Sequence, residues 1–337
     1  MKVVCCLEPG RVAVLDRPDP VPAGDDDVVL RIRRVGVCGT DLHIVAGKHP
    51  YLEYPRVLGH ELAGEVVAAP AGGRLSIGDP VYVNPYIACG TCHACRRGRP
   101  NCCMSIGVLG VHRDGGMGEY LALPARNVFK AEGISLDDAA TVEFLAIGAH
   151  AVSRSGLGSQ DRVLVVGAGP IGLGVALFAG LRGAPVTMMD MNTGRLAFCK
   201  DALGVPETVM AGPEAAAALA SLTGGDMFDV VFDATGNPKS MEAAFGLVAH
   251  TGTYVMVGIV RTDLSFSDPE FHKREMRLLA SRNALAEDFE TVLAAMQAGK
   301  VPVSRLVTHR CGLDAVPTQI ARWTDPASGT IKAMVSL

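Results

Sequence analysis

The chain has 337 residues, of which 49% are hydrophobic and 20% are charged, and its 35 acidic residues slightly outnumber its 31 basic ones. This length predicts two domains, and the apolar content excludes an intrinsically disordered chain. A net charge of −4 and an aromatic content of 5% provide neither a basic field nor stacking platforms for nucleic acid. The ten cysteines are not explained by these numbers.

Two stretches are tested first as targeting or membrane segments. Residues 1–7 are too short, and their flanks too charged, for a secretory signal, so we expect a cytoplasmic protein in which clustered cysteines bind metal more often than they form disulfides. Residues 163–181 carry no charge and reach the length of a membrane span. Five glycines and Pro170 divide this stretch into a strand, a turn and a helix, so we expect no membrane partner.

The first part of the chain is predicted to be rich in β-structure. Strand-like runs separated by Gly, Pro and Asp occupy residues 28–35, 65–68, 81–83 and 119–123. A helix is predicted over residues 136–154, where the apolar residues have helical spacing.

Strands and helices then alternate along the chain. Strands are predicted at 162–166, 186–190, 229–233, 253–258 and 277–283, and helices at 171–181, 194–203, 213–222, 239–249 and 288–297. This alternation is typical of a parallel sheet with helices on both faces. The predicted fold class is therefore α/β: a β-rich domain formed by residues 1–147 and 284–337, into which an α/β domain of residues 148–283 is inserted.

A glycine-rich turn joins the first strand and helix of the α/β domain. In VLVVGAGPIGLG, Gly167 permits the tight turn, Gly169 lets the backbone approach a pyrophosphate, and Gly172 lets the helix pack on the strand. The next strand ends in Asp190, where a carboxylate accepts hydrogen bonds from an adenosine ribose and repels a ribose phosphate. The pattern predicts NAD, although Arg195 leaves NADP open, and a glycine-rich core turn is the alternative.

Four of the cysteines form a compact motif. Cys89, Cys92, Cys95 and Cys103 have the spacing C-x2-C-x2-C-x7-C, which predicts a closed, structural zinc site with four thiolates. An iron–sulfur cluster is the rival, but the ferredoxin run closes with three residues and then Pro. Disulfides are the third possibility. Cys102 is left over, and the remaining cysteines in apolar settings are interpreted as small core residues: Cys5, Cys6, Cys199 and Cys311.

A second group of residues predicts an open metal site. Glu143 lies between Val142 and Phe144, and a carboxylate in such an apolar run is rarely buried without a partner. Together with Cys38 and His60 it would leave one position of a catalytic zinc open for substrate. A single Cys or His is most often structural, and the spacing does not show that these segments converge.

These motifs together resemble the zinc-dependent medium-chain alcohol and polyol dehydrogenases. The shared features are GVCGTDLH, GHE, the cysteine motif, and VLVVGAGPIG with its downstream Asp190, and they extend in order over essentially the whole chain. The resemblance implies a GroES-like catalytic domain around an inserted Rossmann domain. It also implies two zinc ions per chain, NAD, a small-molecule substrate, and a homodimer or homotetramer.

The resemblance carries metal ligands over to this sequence. Cys38 and His60 match the catalytic zinc ligands of the family, and Glu143 matches the glutamate that replaces a cysteine ligand in sorbitol-dehydrogenase-like members. Glu61 matches the acid that can approach the zinc.

The resemblance also assigns the groups around that ion. Asp41 matches the carboxylate that orients the ligand histidine, Thr40 the hydroxyl of a proton relay, and His43 the outer end of that relay. Without the resemblance, Thr40 and Asp41 would be interpreted as a helix start and His43 as a surface residue. Further residues are assigned to the cofactor site: Pro170, Ile171, Thr235, Val257 and Ser281.

The substrate is the least determined part of the prediction. YPRVLGHELAG and FHKREMRLLASRNA are similar to bacterial dehydrogenases that oxidise sugar acids such as L-galactonate or L-gulonate, or related polyols. Arg282 matches an arginine that reaches cofactor and substrate, and Asn283 stands where an aromatic residue often follows. Arg282 and Lys48 would bind a carboxylate, although the residue type favours a solvated surface lysine at Lys48.

Three alternatives remain. L-threonine dehydrogenases share CGTDLHI and the glutamate ligand, so threonine oxidation is the enzymatic rival. A redox-inactive zinc protein that senses NAD or a metabolite would retain the same fold. A zinc-ribbon nucleic-acid binder is suggested only by Arg96, Arg97 and Arg99 beside the cysteine motif of an acidic chain.

Overall fold

The computed structural model describes residues 1–49 and 52–337. The strands, in chain order, are β1 Lys2–Glu8, β2 Arg11–Asp16, β3 Asp27–Val37, β4 Arg56–Val57, β5 Glu61–Ala68, β6 Pro80–Val83, β7 Tyr86–Ile87, β8 Gly107–Val108, β9 Tyr120–Pro124, β10 Val128–Lys130, β11 Val163–Val166, β12 Val186–Asp190, β13 Glu207–Met210, β14 Phe228–Asp233, β15 Val248–Met256, β16 Arg277–Ala280, β17 Val307–Gly312 and β18 Lys332–Ser336.

The helices connect these strands and extend through both halves of the chain. They are α1 Gly39–Val45, α2 His93–Arg96, α3 Leu136–Ala139, α4 Val142–Ser155, α5 Pro170–Leu181, α6 Thr193–Leu203, α7 Ala215–Leu222, α8 Pro238–Ala244, α9 Asp268–Lys273, α10 Ala286–Gln297, α11 Val303–Leu306 and α12 Val316–Thr324. Single 3-10 turns occur at Pro100–Cys102, Ala125–Asn127, Phe245–Leu247, Leu313–Ala315 and Pro326–Ser328. Within the described ranges, no helix is both long and apolar enough to cross a membrane.

The chain divides into two compact units. Unit 1 consists of Met1–Phe144 and Leu285–Leu337, and unit 2 of the intervening Leu145–Ala284. The boundaries predicted after residues 147 and 283 lie within a few residues of these, and the first change of unit falls inside α4. A contiguous unit is therefore inserted into a discontinuous one.

Unit 1 contains sheets whose strand pairs are antiparallel, except that β17 runs parallel to β18. One sheet has the order β2-β1-β4, and a larger one has the order β10-β6-β5-β3-β18-β17, with β9 also pairing with β3. On β3, Gly36 pairs with Glu61 of β5 on one side and with Met334 of β18 on the other. A Cβ atom at position 36 would collide with the Glu61 carboxylate, so glycine there makes room for a buried acid next to the C-terminal strand.

Unit 2 is a parallel sheet with the strand order β13-β12-β11-β14-β15-β16. The four residues of β11 are all buried, as expected for a strand covered on both faces. The order reverses between β11 and β14, and in such sheets ligands bind outside the carboxyl ends of the strands at this switch point. The predicted combination of a GroES-like domain and a Rossmann domain is confirmed.

Several predicted elements have different bounds. The single helix predicted at 136–154 is wrong, because α3 ends at Ala139 and the Thr141 hydroxyl donates to the Asp138 carbonyl oxygen (2.7 Å) before α4 begins. The helix predicted at 239–249 is too long, since Val248 already pairs with Phe228 in the parallel sheet. The strand predicted at 277–283 ends at Ala280, and Asn283 has a positive φ of 53° that an extended strand does not adopt.

Candidate active site

One buried carboxylate organises the turn after β3. The Cys38 N–H donates to Asp41 Oδ2 (2.9 Å) and the Gly59 N–H donates to Asp41 Oδ1 (3.1 Å). The same Oδ1 atom lies 4.0 Å from His60 Nδ1. Asp41 therefore fixes both segments that carry the predicted ligands Cys38 and His60, as expected of a carboxylate that orients a ligand histidine.

The predicted metal ligands come together although their segments are distant in the sequence. Cys38 Sγ, a ring nitrogen of His60 and a carboxylate oxygen of Glu61 all lie within 4.8 Å of one another. Glu143 is outside this tight group, but its negative charge acts on His60. Burial by itself lowers the pKa of His60. The charges of Cys38, Asp41 and Glu143 outweigh burial and raise that pKa well above its usual value. The site is thus strongly negative.

The buried polar atoms fit a divalent cation. Glu143 is only 3% exposed, and burial raises the pKa of its carboxyl group to about 7. Its Oε1 accepts a hydrogen bond from the Tyr86 hydroxyl, whereas Glu143 Oε2 is buried without a hydrogen-bond partner among the described residues. Buried polar atoms are rarely left in this state, and a set of thiolate, imidazole and carboxylate suits zinc.

A buried lysine balances part of the negative charge. Lys332 Nζ donates to Glu61 Oε1 (2.6 Å) and Oε2 (2.8 Å) and to the Val37 carbonyl oxygen (3.2 Å), and it lies 4.3 Å from the centre of the Phe144 ring. Burial by itself lowers the pKa of Lys332, but the Glu61 charge outweighs burial and raises that pKa. Lys332 therefore stays protonated. The sequence analysis missed Lys332; the signal was a single lysine inside the apolar run 331–335.

The predicted proton relay lies along α1. Thr40 Oγ1 is 3.7 Å from Cys38 Sγ, and His43 follows one helical turn later, on the same face and exposed to solvent. Partial burial and the charge of Lys48 lower the pKa of His43, which keeps the imidazole neutral near pH 7. Lys48 itself is exposed, and its backbone N–H donates to the His43 carbonyl oxygen (2.8 Å).

The four clustered cysteines surround a second candidate metal site between β7 and β8. The sulfur atoms of Cys89, Cys92, Cys95 and Cys103 all lie within 4.8 Å of one another, and all are free thiols. Backbone N–H groups of Thr91 and Cys92 lower the pKa of Cys89 to about 6, which favours the thiolate form that binds metal. The disulfide alternative has no support in this arrangement, and Cys102 is exposed outside it.

In unit 2, a cavity of about 530 Å³ lies at the carboxyl ends of β11, β12 and β14. Five of the predicted cofactor residues line it: Gly167, Gly169, Asp190, Arg195 and Thr235. Gly167 has a φ of +100°, and a Cβ atom at Gly172 would collide with the Gly167 carbonyl oxygen, so both glycines are required by the turn. Asp190 also stabilises the turn, because it accepts hydrogen bonds from the N–H groups of Ala168 (2.6 Å) and Asn192 (2.8 Å).

Asp233, a buried acid that was not predicted from the sequence, supports part of the lining of this cavity. Asp233 Oδ1 accepts hydrogen bonds from the N–H and the hydroxyl of Thr235 (2.9 and 2.7 Å), and its Oδ2 accepts one from the Ser240 hydroxyl (3.0 Å). Asn237 and Ser240 line the cavity as well. An acid at a strand end followed by Thr and Gly in DATG was the available signal.

Other predicted residues of unit 2 lie around this framework. Pro170 and Ile171 begin α5. The Val257 N–H donates to the Asp233 carbonyl oxygen (2.9 Å), and the Ser281 N–H donates to the Met256 carbonyl oxygen (2.9 Å). Arg282 is exposed beyond β16 and is followed by Asn283. Their proposed contact with substrate stays a prediction.

Comparisons with known proteins agree with this geometry. Residues 24–133 match the model of the alcohol dehydrogenase GroES-like domain, and residues 170–298 match that of the zinc-binding dehydrogenases. The chain belongs to the zinc-type alcohol dehydrogenase family. This dehydrogenase is 43% identical over 311 residues to L-galactonate-5-dehydrogenase of Escherichia coli K12, covering 92% of this chain and 91% of that protein.

Two further relatives bear on the cofactor and the substrate of this dehydrogenase. It is 32% identical to L-threonine 3-dehydrogenase of Burkholderia mallei, over 98% of each chain. Its structure superimposes on that of the alcohol dehydrogenase rspB from E. coli CFT073, determined in complex with NADH, with a TM-score of 0.93 at 28% identity, covering 100% of this chain and 99% of that one.

Proposed function

We propose that this dehydrogenase oxidises a secondary alcohol of a sugar acid or polyol to the ketone, using a catalytic zinc ion and NAD. The observation that carries the proposal is the group of the half-buried Cys38 with the buried His60 and Glu61, beside the buried, unpartnered oxygen of Glu143. The 43% identity to an L-galactonate-5-dehydrogenase supports the substrate class.

The residues of unit 1 would bind the ion and move the proton. Cys38, His60 and Glu143 would hold zinc, and Glu61 lies within the same group of donor atoms. When bound, zinc lowers the pKa of an alcohol hydroxyl in the same way that it lowers that of water. Asp41 orients His60, and the Thr40 hydroxyl would accept the substrate proton and pass it towards the neutral His43, from which it reaches solvent.

The cavity of unit 2 would bind the dinucleotide. NAD supplies a nicotinamide that accepts a hydride from the carbinol carbon. The N–H groups at the start of α5 suit the pyrophosphate, and Asp190 suits the two hydroxyls of a ribose while repelling a ribose phosphate. Arg195 lines the same cavity, which makes NADP the competing cofactor.

Three polar residues would contact the substrate. Arg282 would bind a carboxylate in bidentate fashion, with Asn283 and Lys48 as further polar contacts. A sugar acid offers both a carboxylate and a secondary hydroxyl, which fits a cation combined with a zinc site. The second candidate substrate is threonine, because the relative that oxidises it aligns over 98% of this chain.

The decisive experiment is a substrate panel on protein whose zinc content has been measured. Aldonates, hexitols and threonine are each assayed with NAD and with NADP. We expect two zinc ions per chain and the highest kcat/KM for an aldonate or hexitol with NAD. The highest kcat/KM for threonine would replace the sugar-acid proposal, and NAD binding without turnover of any substrate would favour the sensing protein.

A further inference from the structure

The two carboxylate oxygens of Glu143 have different surroundings. Oε1 accepts the hydrogen bond from the Tyr86 hydroxyl, and Oε2 is buried without a hydrogen-bond partner in the described part of the chain. A carboxylate that binds a metal through one oxygen needs something to hold the other, or it loses rotational freedom when the metal binds. In this site the holding group is a phenol.

Tyr86 is itself fixed in several directions. Its N–H donates to Asn84 Oδ1 (3.0 Å), and its carbonyl oxygen accepts from Asn127 Nδ2 (3.2 Å). The ring packs edge-on against Phe289, with 6.3 Å between ring centres and an angle of 71°. Tyr86 also pairs with Val108 in the β7–β8 ladder. The segment between these two strands carries Cys89, Cys92, Cys95 and Cys103 and is called the cysteine lobe. The phenol therefore approaches Glu143 from a rigid support.

We propose that Tyr86 is a positioning residue, which engages Oε1 of Glu143 and so directs Oε2 to the catalytic metal ion. This inference rests on the proposed role of Glu143 as a zinc ligand. Tyr86 would act on the metal only through Glu143, because its hydroxyl donates to the Glu143 carboxylate. Tyr86 also lies at the base of the cysteine lobe. It therefore connects the residues that support the open metal site with the segment that forms the closed four-cysteine site.

The test is a double-mutant cycle on metal affinity. Holoprotein that keeps zinc in the cysteine lobe is loaded with Co²⁺ at the open site, and the affinity and ligand-field spectrum of Co²⁺ are measured against a competing chelator. The variants are Tyr86→Phe, Glu143→Gln and the double variant. Tyr82→Phe is the matched control, because Tyr82 packs on the same Phe289 ring (6.1 Å between centres) without bonding to Glu143.

We expect Tyr86→Phe to weaken Co²⁺ binding about 10–100-fold and to change the ligand-field spectrum, as loss of a supporting hydrogen bond to a ligand does. Tyr82→Phe should change neither. In the Glu143→Gln background, Tyr86→Phe should weaken binding by no more than about twofold, because the two residues act as one unit.

Three results of this double-mutant cycle would overturn the inference. Tyr86→Phe could bind Co²⁺ like the parent with the same spectrum, or the losses from Tyr86→Phe and Glu143→Gln could multiply. If Glu143→Gln alone binds Co²⁺ like the parent, the ligand role of Glu143 fails first, and the inference falls with it. Should Tyr86→Phe fold poorly, Asn127→Ala removes the amide that fixes the Tyr86 backbone, and unchanged Co²⁺ affinity in that variant would equally contradict the inference.

Discussion

Replacing Lys332 by methionine is expected to destabilise unit 1 strongly when no metal is bound. Lys332 and Glu61 are 1% and 0% exposed, and their charged groups are 2.6 Å apart at closest approach. Removing one partner of such a pair leaves an uncompensated buried charge, which costs about 3–5 kcal/mol of folding free energy. Here the remaining Glu61 carboxylate would lie beside Cys38 and near Glu143, so we expect the upper part of this range.

Equilibrium unfolding in urea measures the effect. Trp323 is the single tryptophan of the sequence and lies 6% exposed in the core of unit 1, so its fluorescence follows this unit. Lys300→Met removes an exposed lysine of the same unit and serves as the control, with an expected change within about 0.5 kcal/mol. The loss in Lys332→Met should be smaller in zinc-loaded protein, because a bound cation also compensates Glu61.

A loss of less than about 1 kcal/mol in metal-free Lys332→Met, the size expected of a solvent-exposed ion pair, would contradict this prediction. A second check uses Glu61→Gln, which removes the opposite charge. In that background Lys332→Met should cost little or should stabilise, because the unpaired partner is then the lysine itself. An equal loss in both backgrounds would mean that Lys332 acts through packing on Phe144 and not through Glu61.

Three further predictions concern the metals and the relay. Cys38→Ser or Glu143→Ala should lower the zinc content from two to about one per chain and reduce kcat by at least about 100-fold. The circular dichroism spectrum should not change, and full activity in the metal-depleted variants would contradict the assignment of these ligands. Cys89→Ser should also lose one zinc ion, but with a lowered unfolding temperature, since closed sites stabilise the fold. Lys48→Gln should raise the pKa of His43, because it removes a positive charge that disfavours the imidazolium. The acidic limb of the plot of kcat against pH should therefore move to higher pH. An unmoved limb would exclude His43 from the relay.

The sequence was most informative where structure is local. The strand of β11, its glycine turn and α5 were predicted almost to the residue, because each follows from a short apolar run and from backbone positions that only glycine can occupy. The predicted helix over 136–154 failed for an equally local reason, since the Thr141 hydroxyl caps a carbonyl of the preceding turn. Hydroxyl-to-backbone bonds of this kind compete with helix continuation and leave no periodic signal.

The active site depends on contacts that spacing alone does not reveal. The resemblance supplied Cys38, His60 and Glu61, but their convergence requires the register of β3 against β5, which brings Gly36 opposite Glu61. Tyr86 and Lys332 were missed because each acts on a carboxylate far away in the chain. The partner of Lys332 is determined by the antiparallel pairing of β18 with β3 and of β3 with β5, and by the lack of a Cβ atom at Gly36, and these are properties of the folded sheet.

The discontinuity of unit 1 has a consequence for the order of events during synthesis. Unit 2 is contiguous, so it can fold as soon as it has left the ribosome. Lys332 is synthesised 271 residues after Glu61, and β3 remains without its β18 neighbour until then. Glu61 therefore spends most of translation as an acid without its counter-charge, in a half-built sheet exposed to water. We expect the open metal site to mature last, once β18 has paired with β3 and Lys332 has reached Glu61, so that zinc supply at that moment limits the yield of active enzyme.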